Sequence, residues 1–387
     1  MKIPFWAVAD LVTLTAAPSG FQVSLEDIVP GMGTLVSGSL SRYSADGTPF
    51  EKGDVLFGKL RPYLAKFWLA DREGVAGGDI HVYRPRKGVD PRYLAYIVGS
   101  RDFMRYAVAA SKGVKMPRVE WMNLRQYGVN RYDERTQRGI ADYLDRETAE
   151  IDAMLAKLDE LTGNLKQRNG IVVANELKSH YLHGTIPLAF SSGADNFFDG
   201  DWVESKDQDP DGDIRLLQLA DIGDGTFLDK SNRRINQDAF ERLRCREVQA
   251  GDILIARMPH PLGRACILPT GLGRTITVVD VAVLRPDPNR IVPKYLVYVL
   301  NSISFRAQLD SLQSGSTRQR ISRSRLGQQR IPTPPVALQR AAVSDLDEVT
   351  GRINAMLAKI DELKVLLVER RAALITDVVT GRKKIPS

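Results

Sequence analysis

The residues of this sequence that best suit a chemical role are lysines and arginines gathered in short polar stretches. Five arginines lie between Arg318 and Arg330, with no acidic residue among them. Lysine and arginine neutralise phosphates, and arginine can also bind guanine through two hydrogen bonds in the major groove. A merely solvated face would more often mix in acids, so the stretch favours contact with DNA. The candidate DNA-binding residues are Lys59, Arg61, Lys112, Lys115, Arg118, Arg257, Ser316, Thr317, Arg318, Arg320, Arg323 and Arg325.

Motifs for catalysis are missing from the sequence. The Asn/Asp-Pro-Pro-aromatic motif of amino-methyltransferases is not found, since Pro334-Pro335 is preceded by Thr333 and followed by Val336. There is no glycine-rich dinucleotide loop with an acid downstream and no GxxxxGK[ST] phosphate loop. His180 and His183 have i, i+3 spacing but no further ligands, which favours a surface pair over a metal site. We therefore predict a chain that is not an enzyme and holds neither cofactor nor metal.

The sequence repeats itself once, at an offset of about 200 residues. IDAMLAKLDEL at 151–161 returns as INAMLAKIDEL at 353–363. The same offset of 202 pairs Arg118 with Arg320, and further upstream an offset of 198 pairs the segments GDVL and GDIL. An ordered series of matches of this kind predicts a duplicated structural unit.

Each copy has a first part with short β-prone runs between glycines and prolines, and a second part with helical periodicity. The helical parts span about 134–182 and 336–380 and contain no proline. Their apolar residues step by three and four, as in the a/d seam of a coiled coil. The predicted seams are Ile151, Met154, Leu158, Leu161, Leu165 and Val172 in the first copy and Ile353, Met356, Ile360, Leu363, Leu367 and Leu374 in the second.

Chain order sets the direction of the two helices. The first leads from one globular domain to the other, so the second, if it packs along the first, runs back antiparallel to it. We expect an α+β fold, with two globular α/β domains joined by a long antiparallel two-helix coiled coil and related by a pseudo-two-fold internal repeat. Two basic modules at a set distance suit duplex DNA, and their different sequences would read different half-sites around an unread spacer.

Composition agrees with a DNA-directed cytoplasmic protein. Lysine and arginine number 54 against 47 aspartates and glutamates, a net charge of +7. The hydrophobic fraction of 43% is ordinary for a globular chain, and no apolar run approaches the length of a membrane span. Two cysteines, Cys245 and Cys266, do not make a disulfide framework and are predicted to be ordinary buried or half-buried thiols.

Several segments resemble the specificity subunit of type I restriction-modification enzymes, the HsdS family. They are GIADYLDRETAEIDAMLAKLDEL from Gly139, GSTRQRIS from Gly315, IPTPPVALQR from Ile331 and, most specifically, ERRAALITDVVTGRKK from Glu369. The likeness covers essentially the whole chain, strongly in the helices and weakly elsewhere. The start of the first helix, NRYDERTQR from Asn130, departs from the pattern because it lacks the prolines of the second copy.

The resemblance implies two target recognition domains, 1–133 and 184–335, alternating with two conserved helical spacers, 134–183 and 336–387. It implies a non-catalytic subunit that binds double-stranded DNA at an asymmetric bipartite site. It also implies two adenine-N6 methyltransferase subunits as partners, often with two restriction subunits. Two other functions stay open: a non-catalytic coiled-coil scaffold, and a stand-alone two-domain DNA-binding regulator.

Overall fold

The structure, a computed structural model, describes residues 1–18, 20–38, 42–259, 261–312 and 320–385. The chain divides into two compact units, one formed by Met1–Glu160 with Lys359–Ser387 and the other by Leu161–Ala358. No helix in the described ranges has an apolar stretch long enough to cross a membrane.

The first unit contains nine strands within its described residues. They are β1 (Lys2–Pro4), β2 (Ala9–Leu11), β3 (Gln22–Val23), β4 (Thr48–Phe50), β5 (Val55–Gly58), β6 (Phe67–Leu69), β7 (Gly74–Ala76), β8 (Ile80–Pro85) and β9 (Gly128–Asn130). Its helices are α1 (Pro91–Gly99), α2 (Arg101–Ala109), α3 (Trp121–Leu124) and the long α4 (Glu134–Lys178), which continues into the second unit.

The second unit repeats this set of elements and adds a short helix. Its strands are β10 (Thr185–Pro187), β11 (Ser192–Asp199), β12 (Ile214–Leu217), β13 (Arg234–Ile235), β14 (Ile253–Ala256), β15 (Ala265–Ile267), β16 (Thr275–Thr277), β17 (Val281–Pro286) and β18 (Arg330–Pro332). Its helices are α5 (Gln237–Leu243), α6 (Pro293–Asn301), α7 (Ile303–Ser311), α8 (Arg323–Gly327) and the long α9 (Val336–Val379), which continues into the first unit.

Sheet topology confirms the internal repeat. The first unit has sheets of order β2-β8-β5-β6, β3-β7-β4 and β1-β9, and the second has β11-β17-β14-β15, β13-β12-β16 and β10-β18. Each three-stranded sheet even contains one parallel pair, β3 with β7 and β12 with β16. The predicted α+β class and duplicated architecture are therefore correct.

The four-stranded sheet of each unit is apolar on both faces, which explains why its central strand carries an unbroken apolar run, VLF at 55–57 and ILI at 253–255. In the first unit Val55 and Phe57 belong to the core shared with α1 and α2, whereas Leu56 packs into a second core on the opposite face. Ile253 and Leu254 divide between two cores in the same way in the second unit. Alternation of side chains along a strand produces this two-sided burial.

The long helices are antiparallel where they pair in the first unit. The Arg371 guanidinium contacts Asp152 at 2.9 Å, and Lys364 Nζ lies 2.6 Å from Asp159 Oδ1. Residues later in α9 therefore meet residues earlier in α4. Both helices lie within a few residues of their predicted bounds, and the antiparallel direction is confirmed.

The coiled-coil seam differs from the predicted one at every second position. Met154 and Met356 were assigned to the seam, but their side chains are 51% and 52% exposed. Leu155 and Leu357 take their places, so the seam steps by four and then three rather than three and then four. In α9 the seam continues through Lys364 and Arg371, whose charges pair with aspartates of α4 while their stems cover apolar surface. Sequence periodicity placed these two cations outside because it does not show their acidic partners.

A buried glutamine ties each long helix to its globular part. Gln339 accepts a hydrogen bond from the Val292 N–H at 2.8 Å and donates to the carbonyls of Arg290 and Pro334 at 2.9 and 2.8 Å. Gln137 makes the equivalent three bonds in the first unit. Because every polar atom of these amides is paired with backbone, the start of each helix has a defined position on its domain.

Candidate nucleic-acid interface

The predicted basic residues of the first unit come together where β5 ends. After Gly58 the Lys59 N–H donates to the Asp79 carbonyl at 2.9 Å, and the Lys59 carbonyl accepts from the Val119 N–H at 3.0 Å. Arg61, which has a left-handed backbone with φ +51°, donates its N–H to the Pro117 carbonyl at 2.7 Å. Two segments that are distant in sequence are thereby joined through their backbones.

The second of these segments is a tight loop closed by a backbone pair. The N–H groups of Lys112 and Arg118 each donate to the other residue's carbonyl at 2.9 Å. Gly113 has φ +100°, a conformation that favours glycine, which allows the chain to turn here. Lys112 and Lys115 are exposed on the loop, and the Arg118 guanidinium forms an ion pair with Asp79.

A neutral histidine lies beneath these cations. Burial lowers the pKa of His81 to about 3, with a further contribution from the positive charges of Lys59 and Arg118. His81 Nδ1 lies 3.1 Å from the Tyr83 hydroxyl, so the imidazole has a polar partner inside the sheet. His81 consequently adds no charge to the basic loops at neutral pH.

The second unit builds the same arrangement with different side chains. The Arg257 N–H donates to the Asp280 carbonyl at 2.9 Å, and the Arg257 carbonyl accepts from the Ile321 N–H at 3.1 Å. Arg320 forms an ion pair with Asp280 at 3.1 Å, as Arg118 does with Asp79. The structure thus brings Arg257 and Arg320 together.

Arg257 is positioned differently from its counterpart Lys59. Its side chain is only 6% exposed, lies 3.2 Å from Asp199 Oδ1 and donates to the Val279 carbonyl. Burial lowers the pKa of this guanidinium despite the nearby carboxylates. In this arrangement the Arg257 side chain is bound to other residues of the domain rather than facing solvent.

Of the remaining candidate arginines in the second unit, Arg323 contacts the same acid. Arg323 contacts Asp199 Oδ2 at 3.2 Å and donates to the Phe197 carbonyl at 2.9 Å, so it is half-buried. Arg325 is exposed on α8, whose first turn is capped by the Ser322 hydroxyl. Ser316, Thr317 and Arg318 lie outside the described residues.

The acids of these clusters were not found from the sequence. Asp79, Asp199 and Asp280 each hold one or two of the candidate cations. Asp79 lies 39 residues before Arg118, and only the pairing of β5 with β8 brings them together. The one available signal was that Asp79 and Asp280 each precede a central strand of the repeat, β8 and β17.

The arrangement suits anion binding rather than bond-making chemistry. Within the described ranges no group of three histidines, cysteines, aspartates or glutamates is placed to hold a metal ion. His180, predicted to be on the surface, is instead buried, with its Nδ1 3.1 Å from the Tyr295 hydroxyl. The turn that follows α4 folds this residue against α6, which its spacing from His183 did not indicate. Cys245 and Cys266 are buried, as predicted.

Comparison with known proteins finds a family model that matches part of this chain and a curated relative. A family model described as the type I restriction modification DNA specificity domain matches residues 198–365. The type I restriction enzyme StySPI specificity subunit of Salmonella potsdam is 23% identical over 301 residues, 72% of this chain. That match spans 64% of the curated relative, less than two thirds of its length.

A solved structure extends the likeness to nearly the whole chain. It belongs to a study of complex assembly and conformational transition of the type I R-M system, and the match has a TM-score of 0.70 at 17% identity. It covers 98% of this chain and 97% of the other. At this level of identity the match establishes a common fold.

Proposed function

We propose that this chain is a specificity subunit of a type I restriction-modification system and that it selects the DNA sequence on which such a complex acts. The observation that carries the proposal is the repeated basic loop: Arg118 with Asp79 in one unit and Arg320 with Asp280 in the other. Exposed arginines held beside other basic residues are suited to bind phosphates and to set the position of the protein on a duplex.

The two units support recognition of two different half-sites. The backbone frame is the same, but Lys59 is replaced by the buried Arg257 in the second unit. A shared frame with different side chains favours an asymmetric, bipartite target with one half-site for each recognition domain. The proposal keeps 1–133 and 184–335 as the recognition domains and 134–183 and 336–387 as the helical spacers.

The helices offer a repeated surface for partner subunits. Met154 and Leu161 of α4 are exposed, and so are their repeat equivalents Met356 and Leu363 of α9. Apolar side chains that a coiled coil leaves in solvent commonly mark protein contacts. Because the surface occurs twice, it supports docking of two adenine-N6 methyltransferase subunits, to which two restriction subunits would add.

In this proposal the chain itself catalyses no reaction. Sequence recognition belongs to the loops, whereas methyl transfer belongs to the partner subunits, each of which would flip one adenine into its own pocket. The chain needs no cofactor for its part and acts in the cytoplasm, where the DNA lies.

The test is methylation mapping by single-molecule sequencing of DNA from cells that carry this gene together with a methyltransferase gene adjacent to it. We expect a split motif with one methylated adenine per strand, lost when this gene is deleted. A regulator would retain sequence preference without any methylation that depends on it. Methylation unchanged by the deletion, with no sequence preference in the purified chain, would favour the scaffold.

A further inference from the structure

A cleft of about 390 Å³ opens beside the arginine cluster of the second unit. Its lining includes Asp201, Trp202, Gln218, Leu219 and Asp280. The cleft adjoins the cluster directly, since Asp280 is the ion-pair partner of Arg320. Its volume falls within the roughly 300–1,000 Å³ typical of small-molecule sites.

One wall of the cleft is an exposed indole. Trp202 is 67% exposed, although tryptophan is usually well buried in a monomeric domain. The backbone beside it is set by a bond from the Asp201 N–H to the Thr277 carbonyl at 2.7 Å. The indole Nε1 donates to Glu204 Oε1 at 3.4 Å. An exposed indole is therefore held among the residues that line the cleft.

The polar lining contains both a donor and acceptors. Gln218 Nε2 is buried and has no hydrogen-bond partner among the described residues, which is costly unless a ligand provides one. The Asp280 carboxylate accepts from Arg320 and retains further acceptor capacity. Asp201 accepts from the Arg246 N–H at 3.1 Å, and burial raises its pKa to about 6.

We propose that this cleft holds one nucleobase of the bound DNA, stacked on Trp202 and hydrogen-bonded by Gln218 and Asp280. The carboxylate would accept from an exocyclic amino group and the amide would donate to a ring nitrogen or carbonyl. Adenine, cytosine and guanine offer this combination, whereas thymine has no amino group. The inference rests on the proposed function, because it requires that the second unit binds DNA.

Charge argues for a nucleic acid as the occupant. Arg320 is ion-paired to Asp280 of the cleft lining, so a strand whose phosphate it neutralised would pass next to the cleft. Stacking on an aromatic side chain compensates for the few kcal/mol lost when a base leaves its neighbours. The base in this cleft is distinct from the adenine that a methyltransferase would flip, because the cleft lies in this chain.

The experiment uses the full-length chain alone, without methyltransferase. Tight-binding duplexes are first selected from a random pool, and each base of the selected half-sites is then replaced by an abasic position. Binding is measured for the wild type and for Trp202→Ala, which together form a double-mutant cycle at every position. Phe190→Ala is the matched control, because Phe190 is an exposed aromatic of the same unit that lines a different groove.

We expect Trp202→Ala to weaken binding by roughly 5- to 150-fold, the effect of losing one base stack. At one position of the selected half-sites, the abasic replacement should weaken binding by the wild type by a similar factor. The same replacement should not weaken binding by Trp202→Ala any further. Trp202→Phe should retain most of the affinity, whereas Trp202→Leu should not. Additive effects at every position, or equal losses for Trp202→Ala and Phe190→Ala, would overturn the proposal. If no sequence can be selected, it is the proposed function that fails.

Discussion

At the scale of single residues, the two ion pairs Arg118–Asp79 and Arg320–Asp280 prepare the loops for an anion. An exposed ion pair contributes at most about 1 kcal/mol, so exchanging the carboxylate for a phosphate costs little. Meanwhile the aspartate holds the guanidinium in one place before DNA arrives. The arginines are thus positioned before DNA binds, but by ion pairs weak enough to be exchanged for phosphate contacts.

Replacing Arg320 with alanine should weaken DNA binding to all sequences and reduce the slope of log K against log salt by about one. The cause is the loss of one phosphate neutralisation and the counterion release that accompanies it. Fluorescence anisotropy over a series of salt concentrations measures both quantities. Arg352→Ala, which removes an exposed arginine paired with Glu348 on α9, is the control. Identical slopes for the two variants would contradict the role of Arg320.

Stability of the first unit should depend on pH through His81. The folded pKa is about 3, below the value of about 6.5 in an unfolded chain. Above pH 6.5 both states are neutral, but as pH falls from 6.5 towards 3 only the unfolded state gains the proton, so the folded state loses stability. The loss should reach about 2 kcal/mol at pH 5.

The comparison for this effect is between His81→Gln and His183→Gln, the latter at an exposed position. Urea unfolding at pH 7 and pH 5 gives the change in free energy of unfolding for each variant. The pH dependence should be smaller in His81→Gln than in wild type and unchanged in His183→Gln. Equal pH dependence in all three proteins would rule out His81 as its source.

Much of the candidate site was visible in the sequence at this scale, but not its orientation. Charge and the repeat offset identified Arg118 and Arg320 as equivalent loop residues. The same logic treated Arg257 as another exposed cation. The carboxylate that holds it belongs to Asp199 on β11, and nothing in the spacing of the sequence indicates that these two residues meet. Trp202 was not singled out, since a lone tryptophan gives no sign of whether it is buried or exposed.

At the scale of elements, the buried glutamines are the joints between helix and domain. Gln339→Ala should lower the free energy of unfolding by about 3 kcal/mol or more, because three buried backbone groups lose their partners. Gln328→Ala, at an exposed position nearby, should have little effect. Hydrogen exchange adds a local measurement: the Val292 amide should lose protection only in Gln339→Ala. Equal exchange in both variants would show that the joint forms without the amide.

The seam of the helix pair contains a second test. Arg371 is buried, pairs with Asp152 and donates to the carbonyls of Gly31 and Met32 at 3.3 and 3.1 Å. Arg371→Ala should cost about 3 kcal/mol, since it leaves a carboxylate and two carbonyls without their donor. The neighbouring Arg370 is exposed, so Arg370→Ala is a matched control measured by the same denaturant titration. A similar cost for both would place Arg371 outside the seam.

Heptad spacing predicted the existence, length and direction of the helix pair, but not which residues face inward. The 3-4 period collects more apolar residues, whereas the 4-3 period of the structure includes Lys364 and Arg371. The choice was decided by Lys364 and Arg371, which enter the seam because α4 supplies Asp159 and Asp152 opposite them. Met154 and Met356 are consequently turned to solvent.

At the scale of the whole molecule, each unit has its own cores and its own basic loop, so the two loops should act independently. Arg118→Ala should alter recognition of one half of the methylated motif only, and Arg320→Ala the other half only. The losses in affinity should add in the double variant, because the two arginines have different partners and belong to different cores. Methylation mapping with each variant checks this. Loss of both halves from either single substitution would contradict independent recognition.

The duplicated architecture was predictable because the helical segments retain nearly identical sequences in both copies. The sheets were harder to predict, since their strands are only two to eight residues long and share few residues between copies. Topology rather than sequence shows that β2-β8-β5-β6 and β11-β17-β14-β15 are the same sheet.

The end of α9 packs into the core of the first unit, where Ile375 and Val378 join Ile140 and Leu144. The first unit consists of two segments, and about 200 residues separate the end of one at Glu160 from the start of the other at Lys359. The second unit is one continuous stretch. During synthesis at about 5–20 residues per second, the earlier part of the first unit must therefore wait roughly 10–40 s for its missing helix. The half of the protein that is made first is completed last, and its apolar surface is open to chaperones and proteases throughout that interval.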